Sequence, residues 1–240
     1  MPGKPYGIIC PISKACEYLE PRWTIQILCE MWAGSSRFND IRRGVGHISP
    51  ALLSRRLREM ESAGMVERVE DRATGSVDYF RTAKAVALEP ALYELMHWAQ
   101  RNIEAELAVG EPNLSTMIWA ARRYLKVAEL PPRRAVMRFH FADVAKGRDR
   151  CWLVARPGAE VDLCTSDPGV DVDLYIEMTA VSLAAIMLGR TTIAREIEEG
   201  RLFLSGDARL IRTIDHWFPK EDGSDIEGIL PLKPAPSAVH

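Results

Sequence analysis

The sequence predicts two domains of different class. The first is a mainly α winged helix-turn-helix with a β-hairpin wing, and the second is an α+β domain in which helices cover an antiparallel sheet. Three observations carry this. An amphipathic helix at residues 49–64 is punctuated at both ends and flanked by arginines. Alternating apolar and polar residues follow it at once, on either side of a turn-rich stretch at 71–76. Beyond Gly110-Glu111-Pro112-Asn113 the dominant period changes from that of helices to two. At 240 residues and 47% hydrophobic content the chain can bury two cores.

In the first domain, residues 11–19 read as a helix that Glu20-Pro21 breaks. Trp23, Ile27, Leu28 and Met31 keep helical spacing in a second helix, which Gly34 stops and whose apolar residues on more than one face make it central. Arg37-Phe38 suits a short strand contact, and Phe38, Ile41 and Val45 form the inner side of a brief helix ending at Gly44 or Gly46. The helix at 49–64 follows after a turn. Ser49 is a good N-cap, Pro50 leaves no N–H orphaned at the first helical position, and Gly64 tolerates the left-handed conformation that ends a helix. Leu53, Leu57 and Met60 form its buried stripe, which leaves Ala51, Ser54, Arg55, Arg58 and Ser62 facing solvent. Small residues and arginines on that face suit a helix lying in a DNA major groove.

Met65-Val66-Glu67-Arg68-Val69-Glu70 and Val77-Asp78-Tyr79-Phe80-Arg81 form the hairpin, with Arg72 and Thr74 at its tip, in reach of phosphate or the minor groove. The net charge of −2 shows no overall basic character, yet between residues 35 and 58 the six arginines 37, 42, 43, 55, 56 and 58 stand against one acid, Asp40. The candidate DNA-binding residues are therefore Arg37, Arg42, Arg43, Ser49, Ala51, Ser54, Arg55, Arg58, Arg72 and Thr74. Arg55 and Arg58 are the expected base or phosphate readers, and Arg42, Arg43 and Arg72 are expected to hold the backbone. After the wing, Leu88, Leu92, Leu95, Ala99, Ile103 and Leu107 recur at helical spacing as a seam about 20 residues long. Tyr93, Met96 and Trp98 widen it beyond what one face of a small domain needs, which points to a partner helix in a second copy. Packing against the second half of the chain is the competing reading.

In the second domain Asn113 or Ser115 caps a helix through Met117, Ile118, Ala121, Tyr124 and Leu125. Strands at 135–141, 150–155, 160–164 and 172–178 give a sheet of four or five antiparallel strands. Helices at 179–188 and 193–199, a strand at 202–205 and an amphipathic helix at 209–218 complete it. Trp119, Phe139, Phe141, Trp152, Leu174, Ile176, Ile186, Met187 and Trp217 are read as facing the sheet–helix interior, where they line a candidate apolar pocket. Core packing alone also accounts for each of them. The divisions expected are 1–110 for the DNA-binding and dimerisation domain, 111–218 for the α+β domain, and 219–240 for a flexible tail rich in proline, glycine and charge.

Cys10-Pro11-Ile12, Arg22-Trp23-Thr24, Arg37-Phe38-Asn39-Asp40-Ile41, Ile48-Ser49-Pro50, Leu53-Ser54-Arg55-Arg56-Leu57-Arg58-Glu59-Met60, Gly64-Met65-Val66, Tyr79, Thr82 and Leu88-Glu89-Pro90 together resemble the HxlR family of bacterial winged-helix regulators, over residues 8–107. The sequence departs from that pattern at Ala85, where glycine is usual, and at Arg22, where a small residue or lysine is commoner. The resemblance implies a homodimer on double-stranded DNA, each protomer placing residues 49–62 in one major groove. Some members of the family use a thiol at the position of Cys10 as an oxidant sensor, and a thiol beside a helix N-terminus has its thiolate favoured by the dipole. Residues 113–218 resemble the sterol-carrier-protein type of lipid-binding domain. The likeness is strongest in Asp173-Leu174-Tyr175-Ile176-Glu177-Met178, Leu188-Gly189-Arg190, Gly200-Arg201-Leu202-Phe203-Leu204-Ser205-Gly206-Asp207 and Trp217-Phe218. It implies an apolar cavity for a small hydrophobic effector.

No enzyme is expected. The five histidines lack metal spacing, there is no GxSxG and no glycine-rich phosphate loop, so neither cofactor nor metal is predicted. Five cysteines without a CxxC argue against a disulfide framework, and apart from Cys10 they read as structural. With no signal peptide and no run of apolar residues long enough to span a bilayer, a cytoplasmic protein without a membrane partner is expected. The sequence thus reads as a homodimeric regulator. The alternatives are a lipid or small-molecule binding protein whose winged helix serves protein contacts, and an oxidant-sensing regulator acting through Cys10.

Overall fold

The computed structural model describes residues 5–233. The chain divides into two compact units, Met1–Glu94 and Leu95–His240. In the first, α1 (Pro11–Leu19), α2 (Thr24–Trp32), α3 (Phe38–Val45) and α4 (Pro50–Ser62) precede an antiparallel hairpin of β1 (Val66–Glu70) and β2 (Val77–Arg81), then α5 (Ala83–Val86). The side chain of Ser49 accepts from the N–H of Leu52, so α4 starts where the sequence places it. Gly64 takes φ 68°, the left-handed conformation that closes the helix. Leu53, Leu57 and Met60 are buried with Ile27, Ile41, Ile48 and Val66 in one core, while the short contact expected at Arg37 pairs it with Asp78 of β2. Buried Ala85 joins this core at the position where the family pattern has glycine. A glycine inside α3 is costly for a helix, and Gly44 has a packing reason: a Cβ there would lie 1.9 Å from the carboxyl carbon of Glu30. That carboxylate is buried and accepts from the Ser35 hydroxyl at 2.6 Å.

Helix α6 (Glu89–Asn102) begins in the first unit and ends in the second. The boundary thus falls inside a helix at Glu94 and not near residue 110. The reason is polar bonding of the helix's C-terminal half. The buried Gln100 side chain donates to the carbonyls of Leu188 (2.8 Å) and Gly223 (3.2 Å), and Arg101 Nε donates to that of Glu227 (3.0 Å). Arg190, only 3% exposed, donates to the carbonyls of Ile103 and Leu230. The predicted seam is not one helix. It breaks after Asn102 and resumes in α7 (Ala105–Val109), which carries Leu107.

Next come α8 (Leu114–Tyr124), capped by Asn113, then β3 (Ala135–Phe141), β4 (Arg150–Ala155), β5 (Asp162–Cys164) and β6 (Leu174–Met178). Helices α9 (Ala180–Met187) and α10 (Ile193–Glu198), strand β7 (Leu202–Gly206) and helices α11 (Ala208–Arg212) and α12 (Ile214–Trp217) complete the unit. The sheet order is β5-β4-β3-β6-β7, with β3 parallel to β6 and the other pairs antiparallel. The sheet is therefore mixed, not antiparallel as expected: β6 does not extend the β3-β4-β5 meander at its far edge but returns to the free side of β3. Met137, Phe139, Phe141, Leu174 and Ile176 point into the main core with α8, α9 and α12.

The chain after Trp217 does not behave as the flexible tail its composition suggests. Glu221 N–H bonds to Met187 O (2.9 Å), Leu230 N–H to Gln100 O (3.1 Å) and Leu232 N–H to Arg190 O (2.7 Å). A buried guanidinium must find acceptors, and Arg190 takes one of its own from this segment at Leu230. Residues 234–240 of the expected tail lie outside the described residues. Among the described residues no helix is long and apolar enough to cross a membrane.

Candidate nucleic-acid interface

The outward face of α4 carries the residues that the sequence assigns to it. Ser49, Ala51, Arg55 and Arg58 are exposed, and Ser54 is partly so. The arginines are not equivalent. Arg55 Nε donates to Glu59 Oε1 at 2.8 Å, and Arg56 pairs with the same carboxylate while its Nε donates to Arg22 O. Partial desolvation disfavours the charge on Glu59, but the two arginines outweigh it and hold the carboxyl below the ordinary glutamate range. Arg58, one turn on from Arg55, makes no side-chain hydrogen bond or ion pair among the described residues. It is the cation on this face left available to an external anion.

Around α4 the basic patch sorts by the same test. Arg42 and Arg72 are exposed and without a side-chain partner among the described residues. Arg43 lies 3.7 Å from Asp40. Arg37, expected on DNA, has a job inside the fold: its Nε reaches Asp78 Oδ1 at 2.8 Å while its backbone bridges to the same residue, which fastens the start of α3 to the wing. Thr74 is likewise engaged. Its hydroxyl donates to Asp71 Oδ2 (2.8 Å) and accepts from Ser76 N–H (3.3 Å), so it closes the wing turn instead of offering itself to phosphate. Those bonds, first from the Thr74 hydroxyl and then from the Ala73 N–H, hold the Asp71 carboxyl below its ordinary range.

The other predicted residues divide. Of the seam, Leu88, Leu92, Ala99 and Ile103 are partly buried, while Leu95 is 50% and neighbouring Trp98 56% exposed, so α6 keeps an apolar outer face. Of the pocket set, Phe139, Phe141, Leu174, Ile176, Ile186, Met187 and Trp217 meet in the main core. Trp152 does not: strand alternation puts it on the opposite face of the sheet with Val136 and Val154. Trp119 stands outside the main core too, its ring 3.7 Å from the Arg122 guanidinium. Cys10 is exposed immediately before α1, and backbone N–H groups of Ser13, then Ile12, lower its thiol pKa. Cys29, read as structural, is exposed on α2. The anchoring roles of Gln100 and Arg190 escaped the sequence reading, because nothing in the sequence marks which of the several polar residues of α6 is buried, or that Arg190 is.

Residues 18–107 match the family model of the HxlR-like helix-turn-helix. The chain is similar to the HTH-type transcriptional regulator YvaP of Bacillus subtilis, with 36% identity over 98 residues that span 40% of this chain and 91% of the relative. The chain belongs to the HxlR-like helix-turn-helix family. The chain is also similar to an HTH-type transcriptional regulator of Methanothermobacter thermautotrophicus, 31% identical over 38% of this chain and 71% of that relative. Among solved structures, the reduced form of the transcriptional regulator YodB from B. subtilis matches 40% of this chain and 97% of that one, at 30% identity and a TM-score of 0.37. The HxlR-like match thus carries α4 and the wing and runs through α6 to residue 107, and the five-stranded sheet lies beyond it.

Proposed function

We propose that this protein is a homodimeric transcriptional regulator that reads operator DNA with α4 and holds the backbone through Arg42, Arg43 and Arg72. The observation that carries this reading is the outer face of α4: small residues at its N-terminal end, with an exposed Arg58, unpartnered among the described residues, one turn beyond the paired Arg55. Dimerisation is supported by the exposed Leu95 and Trp98 on α6. In a dimer the two α4 helices have to stand one helical turn of DNA apart, roughly 34 Å.

The second domain is the natural seat of control. Its sterol-carrier-like residues form strands and helices around an apolar core, and a small hydrophobic effector in that core would act through α6, whose end Gln100 and Arg190 fasten to the domain. Such an effector changes DNA affinity only by the difference between its affinities for the two spacings of α4.

The test is a mobility-shift titration with the DNA upstream of the protein's own coding region, run at several salt concentrations. A shifted complex of two protomers is expected, with log Kobs falling by about 0.9 per phosphate neutralised as log salt rises. Absence of binding at low salt overturns the reading and favours a small-molecule binding protein whose winged helix makes protein contacts.

Cys10 supports an additional control by oxidants, since it is exposed and its thiolate is stabilised by two backbone N–H groups. Alkylation of Cys10 by iodoacetamide, followed by peptide mass spectrometry, is expected to reach half its maximal rate at lower pH than an unstructured cysteine peptide does. Buried Cys151, whose thiol desolvation pushes up to about 12, serves as the unreactive internal reference. An identical pH profile for Cys10 and the free peptide removes this reading, as does an oxidant response of DNA binding that survives Cys10→Ser.

A further inference from the structure

Strand alternation that buries Phe139 and Ile176 turns another set of side chains to the helix-free face of the second domain's sheet. The register places Trp152, Arg138, Tyr175 and Ser205 side by side in one row across β4, β3, β6 and β7. The next row is Arg150, His140, Glu177 and Phe203. Together they form a groove of about 230 Å³, lined by Arg138, His140, Arg150, Tyr175, Glu177 and Phe203 among others. Tyr175 is 44% and Phe203 59% exposed, although both are large and apolar.

The polar groups of the second row have partners in Glu177 and in the adjoining Asp149. His140 lies 3.4 Å from Asp149 through Nε2 and 3.4 Å from Glu177 through Nδ1, and Arg150 lies 3.6 Å from Asp149. The first row differs. Arg138 has no carboxylate partner among the described residues; its guanidinium is instead held between two rings, 5.9 Å from the centroid of Trp152 and 5.5 Å from that of Tyr175. Its Nε is buried with no hydrogen-bond partner. A guanidinium fixed by aromatic faces, with donors unspent, is preorganised for a planar two-oxygen acceptor. Tyr175 and Phe203 occupy diagonal positions on adjacent strands, about 7–8 Å apart, a separation that admits one flat ring between them.

We infer that this groove binds a small aromatic monocarboxylate, with the carboxylate on Arg138 and the ring between Tyr175 and Phe203. The volume fits one or two fused rings and is below the range for larger ligands. Glu177, which lies across from Phe203 in the second row, puts a carboxylate beside the ring site and disfavours a second acid group there, so the class is monoacids. The groove is on the opposite face of the sheet from the apolar core and is independent of the effector reading given above.

The test uses the full chain, 2-naphthoate as probe and 2-naphthylmethanol as its uncharged counterpart, with isothermal titration and NMR of the arginine Nε–H and indole N–H signals. Naphthoate is expected to bind saturably, at least tenfold more tightly than the alcohol, and to shift the Arg138 and Trp152 signals; tenfold corresponds to about 1.4 kcal/mol. Arg138→Gln is expected to abolish the preference for the acid. Phe203→Ala, a change at an exposed position, is expected to weaken both probes alike and leaves a usable variant if the arginine variant does not fold. Equal affinity for acid and alcohol, shifts confined to the core tryptophan Trp217, binding unaffected by both substitutions, or no saturation at millimolar naphthoate each overturn the inference.

Discussion

Glu196→Ala is expected to lower the melting temperature of the second domain by roughly 10 °C, which corresponds to about 3–5 kcal/mol for breaking a buried ion pair in a domain of this size. Glu196 lies on α10 with no exposed surface. Its carboxylate accepts from the hydroxyls of Ser182 (2.6 Å) and Thr191 (2.8 Å) and from Arg201 Nε (2.8 Å) and Nη2 (2.6 Å). Truncation leaves two hydroxyls and the Nε and Nη2 of Arg201 without their acceptor, so the cost is that of stranded donors and not only of one lost attraction. Desolvation disfavours the charge on Glu196, but the bonds from Arg201, Ser182 and Thr191 outweigh it, and its folded pKa is below the ordinary value. The charged form therefore stabilises the fold above the unfolded glutamate pKa, about 4.3, and that contribution is lost as pH falls through the folded value. Calorimetry should accordingly show the gap between wild type and Glu196→Gln widest near neutrality and narrowing in acid. Glu199→Ala, which removes a more exposed partner of Arg195 and Arg201, is the comparison and should lower the melting temperature far less. Equal melting temperatures for wild type and Glu196→Ala at pH 7 would refute this account of the network.

Local signals account for the parts of the fold that were legible. The caps at Ser49, Pro50 and Gly64, the stripe of Leu53, Leu57 and Met60, and the alternation around residues 71–76 each report chemistry confined to a few neighbours, and α4 and the wing stand where those signals put them. Pairing between distant segments leaves no such trace. Alternation in β6 is the same whether its neighbour runs parallel or antiparallel, so the mixed sheet was invisible. Trp152 shows the same signal misapplied: Cys151, Leu153 and Ala155 take the core face of β4, so the residue between them must face outward. The seam from Leu88 to Leu107 kept its spacing across the break between α6 and α7 because a short reset hardly disturbs a helical period. Composition made residues 219–233 look mobile, while what pins them is mainly backbone bonding to Met187, Gln100 and Arg190, which composition does not record. In the candidate interface, sequence counted arginines correctly but could not tell free from engaged ones. Arg37 and Thr74 turned out to bind within the fold, and only their partners, Asp78 and Asp71, reveal it.

That distinction sets the largest expected effect on DNA. Arg58→Ala is expected to weaken binding to the preferred operator by about 10- to 100-fold, or ~1–3 kcal/mol, with little loss on random DNA. Arg58 is exposed and unpartnered among the described residues, so nothing in the protein has to be broken before it meets a base edge or phosphate. Arg55→Ala is expected to cost less, since Arg55 must first exchange its Glu59 contact for one to DNA, although the exposed pair resists that exchange only weakly. Arg42→Ala, at an exposed position in the last turn of α3 and not on α4, is expected to weaken operator and random DNA alike and to reduce the salt slope by about 1. The measurement is a set of shift titrations of each variant on an operator selected from a random library and on a scrambled control, at no fewer than three salt concentrations. If Arg58→Ala and Arg42→Ala lose the same factor on both DNAs, Arg58 is only another phosphate contact, and specificity has to come from Ser49, Ala51 and Ser54 or from the shape of the DNA.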